Sequence, residues 1–146
     1  MIKETINKLH NELPATVKLV AVSKFHPFEA IIQAYEAGQR IFAESRPQEL
    51  LAKVKRLEEI RVERGEPSYM ADIQWHFIGH LQTNKLKMVL PYVSLIQSVD
   101  SLRLLDGINQ FSYIRVRSPI NKRMIRLAWN HDPYIDSRIS SHLDLI

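Results

Sequence analysis

The 146-residue sequence contains no cysteine, which excludes disulfides and thiolate metal sites and fits a cytoplasmic location. It has no apolar run approaching the ~20 residues that span a bilayer. Its start, Met1-Ile2-Lys3-Glu4-Thr5, lacks the apolar core of a secretion signal, so no membrane association is expected. Glycine is scarce, with four residues in all. Neither G-x-G-x-x-G nor G-x-x-x-x-G-K-[ST] occurs, which argues against a dinucleotide fingerprint and a P-loop. Glutamate and glycine are both missing from 112–146, where six Lys/Arg stand against three Asp. Residues 1–111 are nearly balanced, with 14 Lys/Arg against 13 Asp/Glu. The basic excess lies at the end of the chain, without any recognisable nucleic-acid motif, and nucleic acid is not the expected partner.

What is present is ordinary for a globular domain with a real core: 45% hydrophobic and 25% charged residues. The most telling stretch is Val17-Lys18-Leu19-Val20-Ala21-Val22-Ser23-Lys24, an apolar run that stops on a lysine. Such runs are buried parallel strands. Lysine is seldom fully buried without a partner, and α/β proteins bind ligands at the carboxyl ends of their strands. Lys24 is therefore the leading candidate. A lysine amine that is partly neutral attacks aldehydes. The plain alternative is a solvated loop lysine beside His26 and Pro27.

Strand and helix signals alternate through residue 111. Apolar spacing at Ile2, Ile6, Leu9 and Leu13 predicts a helix over 2–13, and the run at 17–23 predicts a strand. A helix over 28–37 closes on Gly38, and 40–43 forms a second strand. Ser45-Arg46-Pro47-Gln48 has the pattern of a capping box, with Ser45 as cap, for a helix reaching Gly65. Residues 73–79 form a third strand, Thr83 caps a short helix through Met88, and 94–99 form a fourth strand. Asp100 or Ser101 caps a helix to about Gln110. Tyr113-Ile114-Arg115-Val116 reads as a further short strand, after which the alternation stops. This order implies a parallel sheet with right-handed crossovers. An open doubly wound sheet and a (β/α)8 barrel both satisfy it.

The strand ends collect polar groups: Lys24, then Glu44 and Ser45, then His76 and His80, then Ser98 and Asp100. In a parallel sheet these ends converge on one face. Lys24, Ser45, His76 and Ser98 are the candidate site residues. Ser45, Ser98 and Asp100 also suit helix starts, and either histidine suits a hydrogen-bonded structural role. His76 and His80 stand four apart, but on a strand and glycine loop and without the glutamate of H-E-x-x-H, so no metal is expected.

Ala21-Val22-Ser23-Lys24, Phe42-Ala43-Glu44-Ser45 with Gln48-Glu49, Trp75 through Lys85, and Ser98-Val99-Asp100-Ser101 occur in that order. Together they resemble the pyridoxal phosphate homeostasis protein family, across roughly residues 1–111. The resemblance implies a (β/α)8 TIM-barrel-like fold, similar to the N-terminal domain of alanine racemase. It implies a monomer, and pyridoxal 5′-phosphate (PLP) as cofactor and partner, held as a Schiff base on Lys24. The family's Phe-Gly-Glu-Asn stands here as Phe42-Ala43-Glu44-Ser45, which replaces an amide by a hydroxyl.

Beyond Phe111 none of the family's later blocks is seen, including the loop that binds the cofactor phosphate. A complete barrel takes ~250 residues, so about four βα units make half of one. The expectation is an incomplete barrel over 1–111 followed by an unrelated basic tail over 112–146, from a truncated or shifted reading frame. A PLP carrier with impaired binding is the leading expectation. A fragment without cofactor is the alternative, one that self-associates through its open sheet edges. A racemase needs a second acid or base facing Lys24, and no motif supplies one.

Overall fold

The apolar face formed by Ile2, Ile6 and Leu9 produces α1 over Ile2–Glu12. The computed structural model describes residues 1–115 and 124–125, with side chains through residue 111. These residues belong to two compact units, Met1–Trp75 and His76–Ile146, in which parallel strands alternate with helices. Among the described residues no helix is long and apolar enough to cross a membrane.

The first unit continues with β1 (Ala21–Val22), α2 (Phe28–Glu36), β2 (Ile41–Glu44) and α3 (Pro47–Arg64). β3 (Gln74–Phe77) straddles the division between the units. β1 and β2 pair in parallel, Ala21 opposite Phe42 and Val22 opposite Ala43. Ser23 N donates to Ala43 O at 3.0 Å, and Gln74 N opens β3 by donating to Arg40 O at 2.8 Å.

The run at 17–23 yields a strand of only two residues, and the reason is a side chain. Gln39, 1% exposed, donates through Nε2 to Leu19 O and to Ile41 O, each at 2.7 Å. The amide thereby takes the place of ladder bonds ahead of β1. Its Oε1 lies 2.8 Å from His10 Nε2, which fastens α1 to the start of the strands. Phe28, Ile31 and Ala34 of α2, Phe42 and Ala43 of β2, Leu50, Leu57 and Ile60 of α3, and Trp75 fill the core. The Phe42 and Trp75 rings meet at a centroid distance of 6.1 Å. Each large side chain so buried stabilises the fold by about 1.5–3 kcal/mol.

α3 starts one residue later than the capping-box pattern predicts. Its N-cap is Arg46, at φ −123° and ψ 124°, with no side-chain capping bond, and Pro47 occupies the first helical position. The proline ring excludes its predecessor from helical angles, so Arg46 takes the extended place and Ser45 falls outside the cap. At the other end Gly65 has φ 64°. Gly65 N donates to Val62 O and Glu66 N to Arg61 O, the paired closure that a left-handed glycine permits.

In the second unit, Gln97 N donates to Phe77 O at 2.9 Å. A 3₁₀ turn over Thr83–Lys85 leads into α4 (Leu86–Val89), with Gln82 rather than Thr83 at its start. β4 (Val93–Ile96) follows, then α5 (Leu102–Arg115). Ser101 Oγ accepts from Leu104 N at 3.1 Å, which makes Ser101 the cap of α5. Buried apolar residues of the second unit include Phe77, Leu81, Val89, Leu90, Ile96, Val99, Leu104 and Ile108. At Gly107 α5 packs tightly: a Cβ there would stand 2.6 Å from Leu86 Cδ1.

Two expectations are corrected here. Tyr113, Ile114 and Arg115 belong to α5 rather than to a strand, since the helical pattern of Leu104, Leu105 and Ile108 runs on with no breaker; Val116 lies outside the described residues. The alternation also continues one step further. A short β5 (Met124–Ile125) pairs in parallel with β4, Leu95 opposite Met124 and Ile96 opposite Ile125. The rest of 112–146 lies outside the described residues.

Candidate functional site

Lys24 stands two residues beyond β1, after Ser23, and is half-buried. Among the described residues its side chain takes part in no ion pair or hydrogen bond. The backbone around it is held on both sides. Lys53 Nζ donates to Ser23 O at 2.6 Å, and Phe25 N donates to Glu49 Oε1 at 2.5 Å. Phe25 carries φ 65°, a left-handed conformation that costs a non-glycine residue about 1–2 kcal/mol. A hydrogen bond to a carboxylate is of the strong, charge-assisted kind and offsets that cost. The Arg46 guanidinium stands 4.7 Å from the centre of the exposed Phe25 ring, a cation–π contact that covers one face.

Beneath this loop lies a buried ionic cluster. Glu44 is fully buried and Lys53 is 6% exposed; the two form an ion pair. Lys53 also reaches Glu49 Oε1 at 3.0 Å, so its three protons are matched by Ser23 O, Glu44 and Glu49. Ser23 Oγ donates to Glu44 Oε1 at 2.6 Å. Glu44 Oε2 has no partner among the described residues. Burial pushes the Glu49 carboxyl up, but the hydrogen bonds from Lys53 and Phe25 N and the nearby Lys53 and Arg46 charges prevail. They hold it below the usual carboxylate value. Ala43, at the position of the family's glycine, has no positive φ and sits fully buried in β2. The strand accepts it without backbone strain.

Ser45 is half-buried at the end of β2. Lys24 and Ser45 thus occupy neighbouring strand ends of the first unit, joined by the Ser23–Glu44 hydrogen bond between the residues that precede them.

In the second unit, His76 is buried within β3, and Gln97 Nε2 lies 3.1 Å from its Nδ1. An amide N–H can only donate, so Nδ1 accepts, and a neutral ring carries its proton on Nε2. Ser98 is half-buried two residues beyond β4. Asp100 does not cap α5; its Oδ2 meets His80 Nδ1 at 2.7 Å. The two histidines thus have different partners. Among the described residues no three His, Asp or Glu side chains gather as metal ligands.

Sequence reasoning singled out Lys24, met Glu49 only as part of the family pattern, and assigned no role to Glu49 or Lys53. The signal was available, because Lys53 shares the buried stripe of α3 with Leu50, Leu57 and Ile60. A lysine on an apolar stripe needs a buried acceptor.

Parallel strands alternating with helices, with polar groups at the strand ends, define an α/β protein of the kind that lines part of a barrel. No family model matches the chain, but individual proteins do. The pyridoxal phosphate homeostasis protein of Bos taurus is 40% identical over 112 residues, 74% of this chain and 38% of that protein. Its Homo sapiens counterpart is 39% identical over 122 residues, covering 81% and 41%. PipY of Synechococcus elongatus, solved with PLP bound, superposes with a TM-score of 0.81 at 32% identity, over 100% of this chain and 66% of PipY. The chain belongs to the pyridoxal phosphate homeostasis protein family. It spans about two fifths of the length of the curated relatives it matches.

Proposed function

We propose that this chain holds PLP covalently through Lys24 and acts as a carrier in the cell's handling of that cofactor rather than as a catalyst of turnover. The observation that carries the reading is the loop after β1. A half-buried lysine without an ionic partner among the described residues stands between two peptide groups that are each held by a buried or half-buried charge. The likeness to PipY, whose structure holds PLP, supports it. PLP supplies an aldehyde: an unprotonated lysine amine adds to its carbon, the carbonyl oxygen leaves as water, and water reverses the bond.

The residues present fit such a group. Lys24 offers the amine, and Ser45 offers a hydroxyl at the adjacent strand end. The other candidates, His76 and Ser98, each stand toward the carboxyl end of a strand in the second unit. The nearby Lys53 does not compete for an aldehyde, because its protons are committed to three acceptors.

The test is to incubate the full chain with PLP, reduce with borohydride and locate the label by peptide mass spectrometry. A single label on Lys24, absent from Lys24→Ala, is expected. Equal PLP retention by Lys24→Ala defeats the assignment. Association without cofactor is a second reading. It is favoured by β1, whose only paired neighbour among the described residues is β2, and by the 49% exposure of Val22 on that strand. Size-exclusion of the PLP-free chain separates the two: a stable dimer that takes no PLP supports the second.

A further inference from the structure

The peptide groups on either side of Lys24 are gripped by one pair of side chains. Ser23 O belongs to the peptide that precedes Lys24, and Phe25 N to the peptide that follows it. Lys53 takes the first at 2.6 Å and Glu49 the second at 2.5 Å. Both grips come from α3, one helical turn apart, and they are linked to each other at 3.0 Å. Each has the charge its target requires, an ammonium for a carbonyl oxygen and a carboxylate for an amide hydrogen. Fixing two successive peptide planes fixes φ and ψ of the residue between them, and with these the direction of its Cα–Cβ bond.

We propose that Glu49 and Lys53 are positioning residues for Lys24, and that they set the backbone from which its amine meets an aldehyde. The proposal rests on the reading of Lys24 as the PLP-binding amine. Glu44 serves it indirectly by holding Lys53 in place. Without the grip Phe25 loses the bond that offsets its left-handed backbone, and Lys24 samples several directions instead of one. Reactions that depend on orientation slow by orders of magnitude when a group is displaced by about 1 Å.

The experiment uses the full chain and four variants, Glu49→Ala, Glu49→Gln, Lys53→Met and Lys53→Arg, with three readouts. The first is the saturating rate of borohydride-trapped PLP labelling at Lys24, with the half-saturating PLP concentration. The second is reductive methylation of Lys24 by formaldehyde, measured against exposed Lys18 in the same molecule. The third is hydrogen exchange at the Phe25 amide.

Glu49→Ala is expected to lower the saturating rate roughly tenfold or more, with half-saturation little changed, and to speed Phe25 exchange by about as much. Glu49→Gln keeps an acceptor for Phe25 N and should stay near the parent. Lys53→Arg should recover part of what Lys53→Met loses. Labelling of Lys24 in Glu49→Ala at the parent rate, or unchanged Phe25 exchange, overturns the proposal. If the parent takes PLP elsewhere or not at all, the cofactor reading fails. The positioning claim is then decided by methylation: a changed Lys24-to-Lys18 ratio in Glu49→Ala upholds it, and an equal ratio ends it. Should Lys53→Met fail to fold, the half-exposed Glu49 variants carry the same decision.

Discussion

The strand ends of the two units keep their charge in different places. In the first, Glu44 and Lys53 are buried together and engage the backbone around Lys24. In the second, the buried His76 pairs with the amide of half-buried Gln97, and the charged pair is at the surface, with His80 at 68% and Asp100 at 33% side-chain exposure. Desolvating a charge costs several kcal/mol unless every proton and lone pair is met. A buried ionic cluster therefore demands fixed surroundings; Glu44 Oε2 lacks a partner among the described residues, while Lys53 and Glu49 are tied to the backbone around Lys24. The exposed pair demands nothing and fixes little.

The largest effect should come from breaking the buried cluster. Glu44→Ala leaves the Lys53 ammonium without its main counter-charge, and we expect a loss of about 3–5 kcal/mol in denaturant unfolding. Asp100→Ala should cost at most about 1 kcal/mol. Equal costs would erase the contrast. Two changes in the second unit lie between these. Gly107→Ala drives a methyl against buried Leu86, which we expect to cost about 1–2 kcal/mol despite the gain in helix propensity. Ser101→Ala removes the cap of α5, at about 1 kcal/mol by the same measurement.

The smallest effect is a pH dependence. The folded value of Glu49 lies below its ordinary one, so its contribution is complete above the usual carboxylate range and fades as pH falls through the folded value. Urea midpoints measured down an acid series should fall less steeply in Glu49→Gln than in the parent. Parallel slopes would remove Glu49 from the account.

Much of the fold was legible in the sequence. The apolar run that stops at Lys24, the proline at the start of α3 and the glycine at its end each act locally, and the structure follows them. Of the readings that failed, one was settled at a distance and the others by a neighbouring signal that outweighed the one read. β1 is short because Gln39, twenty residues beyond Leu19, takes over the hydrogen bonds. Ser45 loses the cap because Pro47 acts on Arg46, a rule that the capping pattern obscured. Tyr113 and Ile114 have strand-forming side chains, yet they continue a helix already under way. The grip on Lys24 was the hardest to see, since Glu49 and Lys53 read as an ordinary surface i,i+4 pair unless the buried stripe of α3 is drawn first.

Gln39 carries one more consequence. Its carboxamide is a three-way fastener, and one of the three ends is supplied by His10. Shortening the protein at its amino terminus would remove not only a helix but also the imidazole that meets a sequestered carbonyl. The penalty of such trimming should exceed what the lost greasy contacts alone would suggest. A tag or fusion partner placed ahead of Met1, by contrast, leaves that fastener undisturbed.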